Sequence, residues 1–338
     1  MTNSAAGGLL GPPPGPREPI RIGFQVWGQS IGWADLMATG QQIEALGFAS
    51  LFANDHLMPI LGNADGPVLG SAGPVFEGWM TLAGFAAVTR RVPLGMMVCG
   101  VGYRNVGLTV KMATALDHAS AGRAMLGLGA GWHEPEHRAF GYPVLSLGDR
   151  ISRLDEAARL ARGLLDGESV THEGTWLSSS DLRNDPPPFQ QRMPFLIGGS
   201  GERRTLRIVA RDADIWNGEG EPTTFARKNA ILDDRCAEIG RDPAEIRRTV
   251  GVPPICIRDS RDGAVEALTA ILARHGGTPL DTRAWAESSP LADTEEVVAG
   301  FLRAWRAAGA EEAIVDLPWP RDDETFERLA GPVQERLG

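Results

Sequence analysis

Residues 91–143 constrain the fold more than any other stretch of the chain. Positions 92–99 are apolar without alternation, which suits a strand buried on both faces of a parallel sheet rather than one facing water. Gly100-Val101-Gly102 follows and lets backbone approach a ligand closely. From 107 to 120 the apolar residues recur at helical spacing, and Ala121-Gly122 ends the run. A second buried strand over 124–128 opens into Gly129-Ala130-Gly131-Trp132. Strand, helix and strand within about forty residues predict a parallel crossover unit, whose ligands sit beyond the carboxyl ends of the strands.

The same rhythm runs through the chain. Further strands are predicted over 20–26, 49–53, 194–197, 213–216, 248–257 and 312–317. Helices are predicted over 35–46, 77–88, 149–165, 202–211, 222–239, 261–275, 294–308 and 323–337. Eight β/α units with no break in composition predict an α/β fold, a single (β/α)8 TIM barrel over 20–338 with insertions after strands two, four and seven. A doubly wound open sheet is the alternative. The insertions are the Gly- and Pro-rich loop to about Phe76, a polar segment over 167–192 with a hairpin near Glu173-Gly174, and a loose segment ending near Leu291. Residues 1–19, rich in Gly and Pro, read as a disordered lead-in.

Composition narrows the partners. A net charge of -10 and a pI near 5.2 oppose phosphate-rich surfaces, so neither nucleic acid nor membrane is expected and a small-molecule substrate is. Cys99, Cys236 and Cys256 are odd in number and far apart, which favours a reducing, cytoplasmic setting over a disulfide framework. No apolar run approaches the roughly 20 residues of a membrane span, and no signal peptide is apparent.

The loops after the strands carry the chemistry. Asn54-Asp55-His56 sets a carboxylate beside an imidazole, the side chain most easily poised for proton transfer near neutral pH. Gly198-Gly199-Ser200-Gly201, with Arg203 and Arg204 in the first turn of the next helix, offers amides and a positive helix end to a phosphate, or is an ordinary glycine turn. His133-Glu134-Pro135-Glu136-His137 matches the zinc pattern H-E-x-x-H, but Pro135 is tolerated only if the helix begins there, and no third ligand follows; no metal is expected. Gly127, Gly129 and Gly131 space as G-x-G-x-G, not as the dinucleotide fingerprint G-x-G-x-x-G.

Together with Gly102-Tyr103-Arg104-Asn105, Leu116-Asp117, Gly122-Arg123 and Glu136 to Gly141, these blocks resemble the luciferase-like monooxygenase superfamily, in particular its F420-dependent oxidoreductases. The resemblance implies a (β/α)8 barrel binding F420 or FMN across the strand ends. It places the cofactor ring against a strand-three bulge with a non-prolyl cis peptide, near Met97, Val98 and Cys99. It also implies that Asp55 and His56 meet cofactor and substrate, that Gly198, Gly199, Ser200 and Gly201 hold the phosphate, and that His133 lies near the cofactor. Where the similar sugar-phosphate dehydrogenases carry a glutamate, this chain has Trp132, so a sugar phosphate is not expected and Trp132 becomes an apolar wall.

The expected reaction is hydride transfer, with His56 as acid or base and Asp55 as its orienter or a cofactor contact. Glu134 and Glu136 alternatively hold helix-start amides. The alternatives are an FMN-dependent monooxygenase using reduced flavin and O2, and a non-catalytic flavin-binding protein on the same fold. Family members imply a homodimer. Trp27 and Trp33 either line the pocket or merely pack.

Overall fold

The computed structural model describes residues 18–60, 73–276 and 278–338, so most of the expected lead-in and the middle of the loop after strand two lie outside the described residues. The barrel strands are β1 (Arg21–Val26), β2 (Leu51–Ala53), β3 (Leu94–Met96, resuming at Cys99–Gly100), β4 (Ala124–Gly129), β5 (Phe195–Gly198), β6 (Ile215–Gly218), β7 (Arg247–Val252) and β8 (Glu312–Leu317). Each pairs in parallel with its sequence neighbours, β1 pairs with β8, and the sheet closes into a barrel. The open-sheet alternative is thereby excluded.

Alternation along each strand sorts side chains into two cores. Ile22, Phe24 and Val26 belong to a large outer cluster under the helices, whereas Phe52, Met97, Met125, Leu196, Ile215 and Ile314 fill the barrel interior. Two residues beyond that inner layer, the same faces carry Gly127 and then Gly129 on β4, Gly198 on β5, Asn217 on β6 and Asp316 on β8. The mouth floor is therefore backbone on one side and polar side chains on the other.

Strand three is broken where a continuous strand over 92–99 was expected. Gly95 pairs with Met125 but Cys99 pairs with Leu128, so β3 carries one residue more than β4 across that interval and bulges. The Met97–Val98 peptide in the bulge is cis. Gln25 Nε2 donates to the Met97 carbonyl at 2.6 Å, and the Met97 amide to Ala53 at 2.9 Å. A Cβ on Gly127 would fall on the Met96 carbonyl and one on Gly129 on the Val98 side chain. The G-x-G spacing of β4 thus makes room for the neighbouring bulge.

Three other expectations change. Strand seven stops at Val252 because Pro253 and Pro254 have no N–H for the ladder; Cys256–Ile257 pairs instead with Ala292–Asp293, apart from the barrel sheet. The loose segment before Leu291 holds a helix, Pro279–Ser288, with Thr278 accepting from the Asp281 amide at 3.2 Å and Pro279 opening the first turn. The helix after β5 begins at Thr205, so Arg203 and Arg204 precede it. The expected hairpin is present, Val170–Glu173 against Ser178–Leu182. Among the described residues no helix is long and apolar enough to cross a membrane.

Candidate functional site

The mouth of the barrel is organised by a carboxylate. The short helix Glu134–Ala139 starts with Pro135 in its first turn, where a missing N–H costs nothing. This places Glu136 inward, fully buried, against the loop after β2. It accepts from the Leu57 amide, from the Met58 amide at 2.8 Å, from the Tyr103 hydroxyl at 2.5 Å and from His56 Nδ1 at 3.1 Å. Burial alone would raise its pKa; the hydrogen bonds and charge of His56, with Tyr103 and Met58, outweigh it and hold the carboxyl at about 2. An ionised carboxylate only accepts, so the His56 proton sits on Nδ1. Nε2 has no hydrogen-bond partner among the described residues and is the atom left for a ligand.

Trp132 stands edge-on to His56 at 5.6 Å between ring centroids, and His133 at 6.0 Å. His133 is buried, and burial lowers its pKa, keeping the ring neutral at pH 7. His137 is turned away, its Nδ1 3.0 Å from the Pro143 carbonyl. Among the described residues Glu134 reaches only Arg138, so neither glutamate of the motif caps its own helix.

Asp55 does not orient His56. Both its oxygens lie 2.8 Å from Arg104 Nη1, and Oδ2 accepts from the Gly100 amide at 3.1 Å; Arg104 Nη2 continues to Glu77 at 2.8 Å. Only 3% exposed, Asp55 is pushed up to about 6 by burial, with Arg104 pulling the other way. It ties the end of β2 to the far side of the bulge and so fixes the shelf rather than the imidazole. Cys99 also departs from expectation. It faces the outer cluster, and burial raises its thiol pKa, leaving Met97 and Val98 as the inward residues of the bulge.

Val98 sits over the glycine side of the floor, since a Cβ at Gly198 would meet its side chain at 3.0 Å. Across the mouth, Asn217 accepts from Thr249 Oγ1 at 2.8 Å. Asp316 keeps a narrow exposure, yet enclosure of its carboxyl raises the pKa to about 7 against the lowering effect of the Trp27 hydrogen bond; the charge of Glu219 adds to the rise. Sequence reasoning missed Arg104, Asn217 and Asp316. The available signal was an acid, Asp316, two residues beyond inward Ile314 at the carboxyl end of the strand. Trp27 is buried, whereas Trp33 is 41% exposed and stands edge-on to Phe76.

The glycine loop after β5 keeps its backbone open. Gly199 has φ 125°, a region that favours glycine, and a Cβ on Gly201 would meet Thr205 Oγ1 at 2.7 Å. The Gly199 amide donates to Asn217 O at 3.1 Å and Ser200 Oγ accepts from the Glu219 amide at 3.1 Å. The amides of Ser200 and Gly201 have no acceptor among the described residues.

Residues 19–318 match the family model described as luciferase-like monooxygenase. The F420-dependent glucose-6-phosphate dehydrogenase of Microbacterium testaceum is 29% identical over 282 residues, covering 82% of this chain and 75% of the relative. An F420-dependent secondary alcohol dehydrogenase, solved with an F420-acetone adduct, superposes with a TM-score of 0.77 at 16% identity, covering 95% of this chain and all of that one. A monooxygenase from Streptomyces bottropensis gives 0.71 at 16% identity, covering 94% and 97%.

Proposed function

Because this chain belongs to the luciferase-like monooxygenase family, we propose that it is an F420-dependent oxidoreductase that transfers a hydride between the deazaflavin and a small organic substrate. The observation that carries this reading is the mouth floor. The Met97–Val98 bulge meets Gly129 and Gly198, a shelf on which a flat ring can rest directly on backbone, and His56 follows Asp55, which is bonded to the Gly100 amide beyond the bulge. Similarity to an F420-dependent dehydrogenase over most of the chain supports the cofactor choice.

The residues fit such a cofactor. The unfilled amides of Ser200 and Gly201 suit an anionic side chain, and the glycine shelf suits the ring. When bound, the deazaflavin supplies two-electron hydride chemistry. Glu136 holds the His56 ring with Nδ1 protonated, so Nε2 takes a proton from a substrate hydroxyl or, once protonated, returns one to a carbonyl oxygen. Trp132 and His133 close the side of the imidazole to water. Asp316, raised to about 7 by enclosure, offers a second group able to carry a proton near neutral pH across the floor. Trp132 follows the β4 glycines without a carboxylate, which disfavours a sugar phosphate as substrate.

An FMN monooxygenase is the second reading, supported by the structural likeness to a Streptomyces monooxygenase. Fluorescence titration with F420 and separately with FMN distinguishes the two. Tight F420 binding and no substrate-dependent O2 uptake are expected. Preference for FMN with O2 consumption overturns the proposal.

A further inference from the structure

Two arginines on the helix after β4 carry guanidinium nitrogens that no acceptor among the described residues answers. The helix Leu147–Leu165 follows β4, and its first two turns are clamped between two glycine loops. Arg150 Nη1 donates to the Gly131 carbonyl beyond β4. Arg204, just past Gly201, donates to the Gly148 carbonyl at 3.0 Å and to Ser152 Oγ at 2.9 Å. At helical spacing Arg150 and Arg153 share a face with Leu154 and Ala157, which are fully buried, so both arginines lie on the buried side of the helix.

The Nε of each is sealed from solvent without an acceptor. Arg153 makes no hydrogen bond or ion pair with any described residue. The nearby acids are engaged elsewhere: Asp149 with Ser146, and Asp155 with Arg159 and Arg211. Comparable arginines are paired, as Arg104 is with Asp55 and Arg162 with Asp214. Burial acts on Arg153 with no opposing charge. Guanidinium keeps its proton in proteins, so this is a bare, partly desolvated cation, an arrangement that calls for an explanation.

We propose that Arg150 and Arg153 form an oxyanion subsite that takes the charged side chain of the cofactor, in addition to the amides of Gly198–Gly201. The inference rests on the cofactor reading above. Guanidinium matches phosphate and carboxylate oxygens in geometry and charge, and the helix that presents it is fixed to both glycine loops.

The test is equilibrium binding followed by cofactor fluorescence, using three ligands: the deazaflavin ending at its ribityl alcohol, the phospholactyl form, and the full oligoglutamyl form. Arg153→Met should weaken binding of the anionic forms roughly 30-fold while changing the neutral form less than about 2-fold. Loss that begins with the phospholactyl form assigns its phosphate or lactyl carboxylate to the subsite, and loss that begins only with the glutamyl form assigns a glutamyl carboxylate; either upholds it. Arg153→Lys should recover part of the affinity, and Arg159→Met, farther along the helix, should change nothing. In the unmodified protein, affinity for the anionic forms should fall with salt while that for the neutral form stays level. That salt comparison applies even where Arg153→Met fails to fold. Equal loss for all three ligands, no loss, or identical salt dependence overturns the subsite while leaving F420 as the cofactor. Failure of the unmodified protein to bind any of the three removes the cofactor reading and the subsite with it.

Discussion

Replacing Glu136 by Gln tests whether an ionised carboxylate organises the mouth. One oxygen takes the Leu57 and Met58 amides, the other takes Tyr103 and His56. Burial alone would raise this carboxyl, yet the donors hold it at about 2 against an ordinary 4.5. That difference stabilises the fold by about 3 kcal/mol. The folded value lies below the unfolded one, so the contribution is complete above about pH 4.5 and is lost as pH falls toward 2. Glutamine keeps a carbonyl for the two amides but turns an NH2 toward His56, so Nδ1 must accept and the proton moves to Nε2. Glu136→Gln should therefore lower Tm by roughly 5 °C at pH 7. Turnover should drop ~100-fold, with cofactor affinity changed only slightly. Thermal unfolding of both proteins from pH 7 down to about pH 3 is the assay, and the gap in Tm should narrow below about pH 4. A gap that is constant over the whole range would refute the ionised hub.

His56→Ala should leave F420 affinity nearly intact in a fluorescence titration and cut turnover ~100-fold or more; unchanged turnover removes His56 from the chemistry. Gly127→Ala forces a methyl onto the Met96 backbone carbonyl, where no side chain can move aside. It should cost about 2–4 kcal/mol in denaturant unfolding and abolish cofactor binding; a neutral result would show that the bulge is not held by β4. Asp316→Asn should raise Tm more at pH 9 than at pH 5. The folded carboxyl titrates at about 7 against an ordinary 3.8, so its contribution is complete below about pH 3.8 and is lost progressively as pH rises to about 7. The opposite order would show that Asp316 is stabilised as an anion.

The barrel was legible because its strands are apolar runs separated by amphipathic helices, and β8 was read with its full bounds. The misreadings have local causes. Pro253 and Pro254 end β7 before apolar Ile255–Ile257, a break that hydrophobicity alone does not register. Asp55 and His56 are adjacent in sequence, but successive side chains leaving a strand point apart. Asp55 therefore meets Arg104 and His56 meets Glu136, a partner 80 positions away. Such a pairing is set by how the loops after β2 and β4 lean together, and no spacing within either loop encodes it.

The β4 glycines show the same limit from the other side. Read along one strand, Gly127 and Gly129 imitate a dinucleotide fingerprint without its spacing, because glycine marks close approach whatever approaches. Across the sheet their neighbours are Met96 and Val98, so what comes close is the extra residue of β3. Removing those side chains lets the bulge swing inward, and the bulge then sets Val98 over the floor that Gly129 and Gly198 leave flat. A glycine pattern in one strand thus supplies, through its neighbour, the flat surface on which the proposed ring would rest.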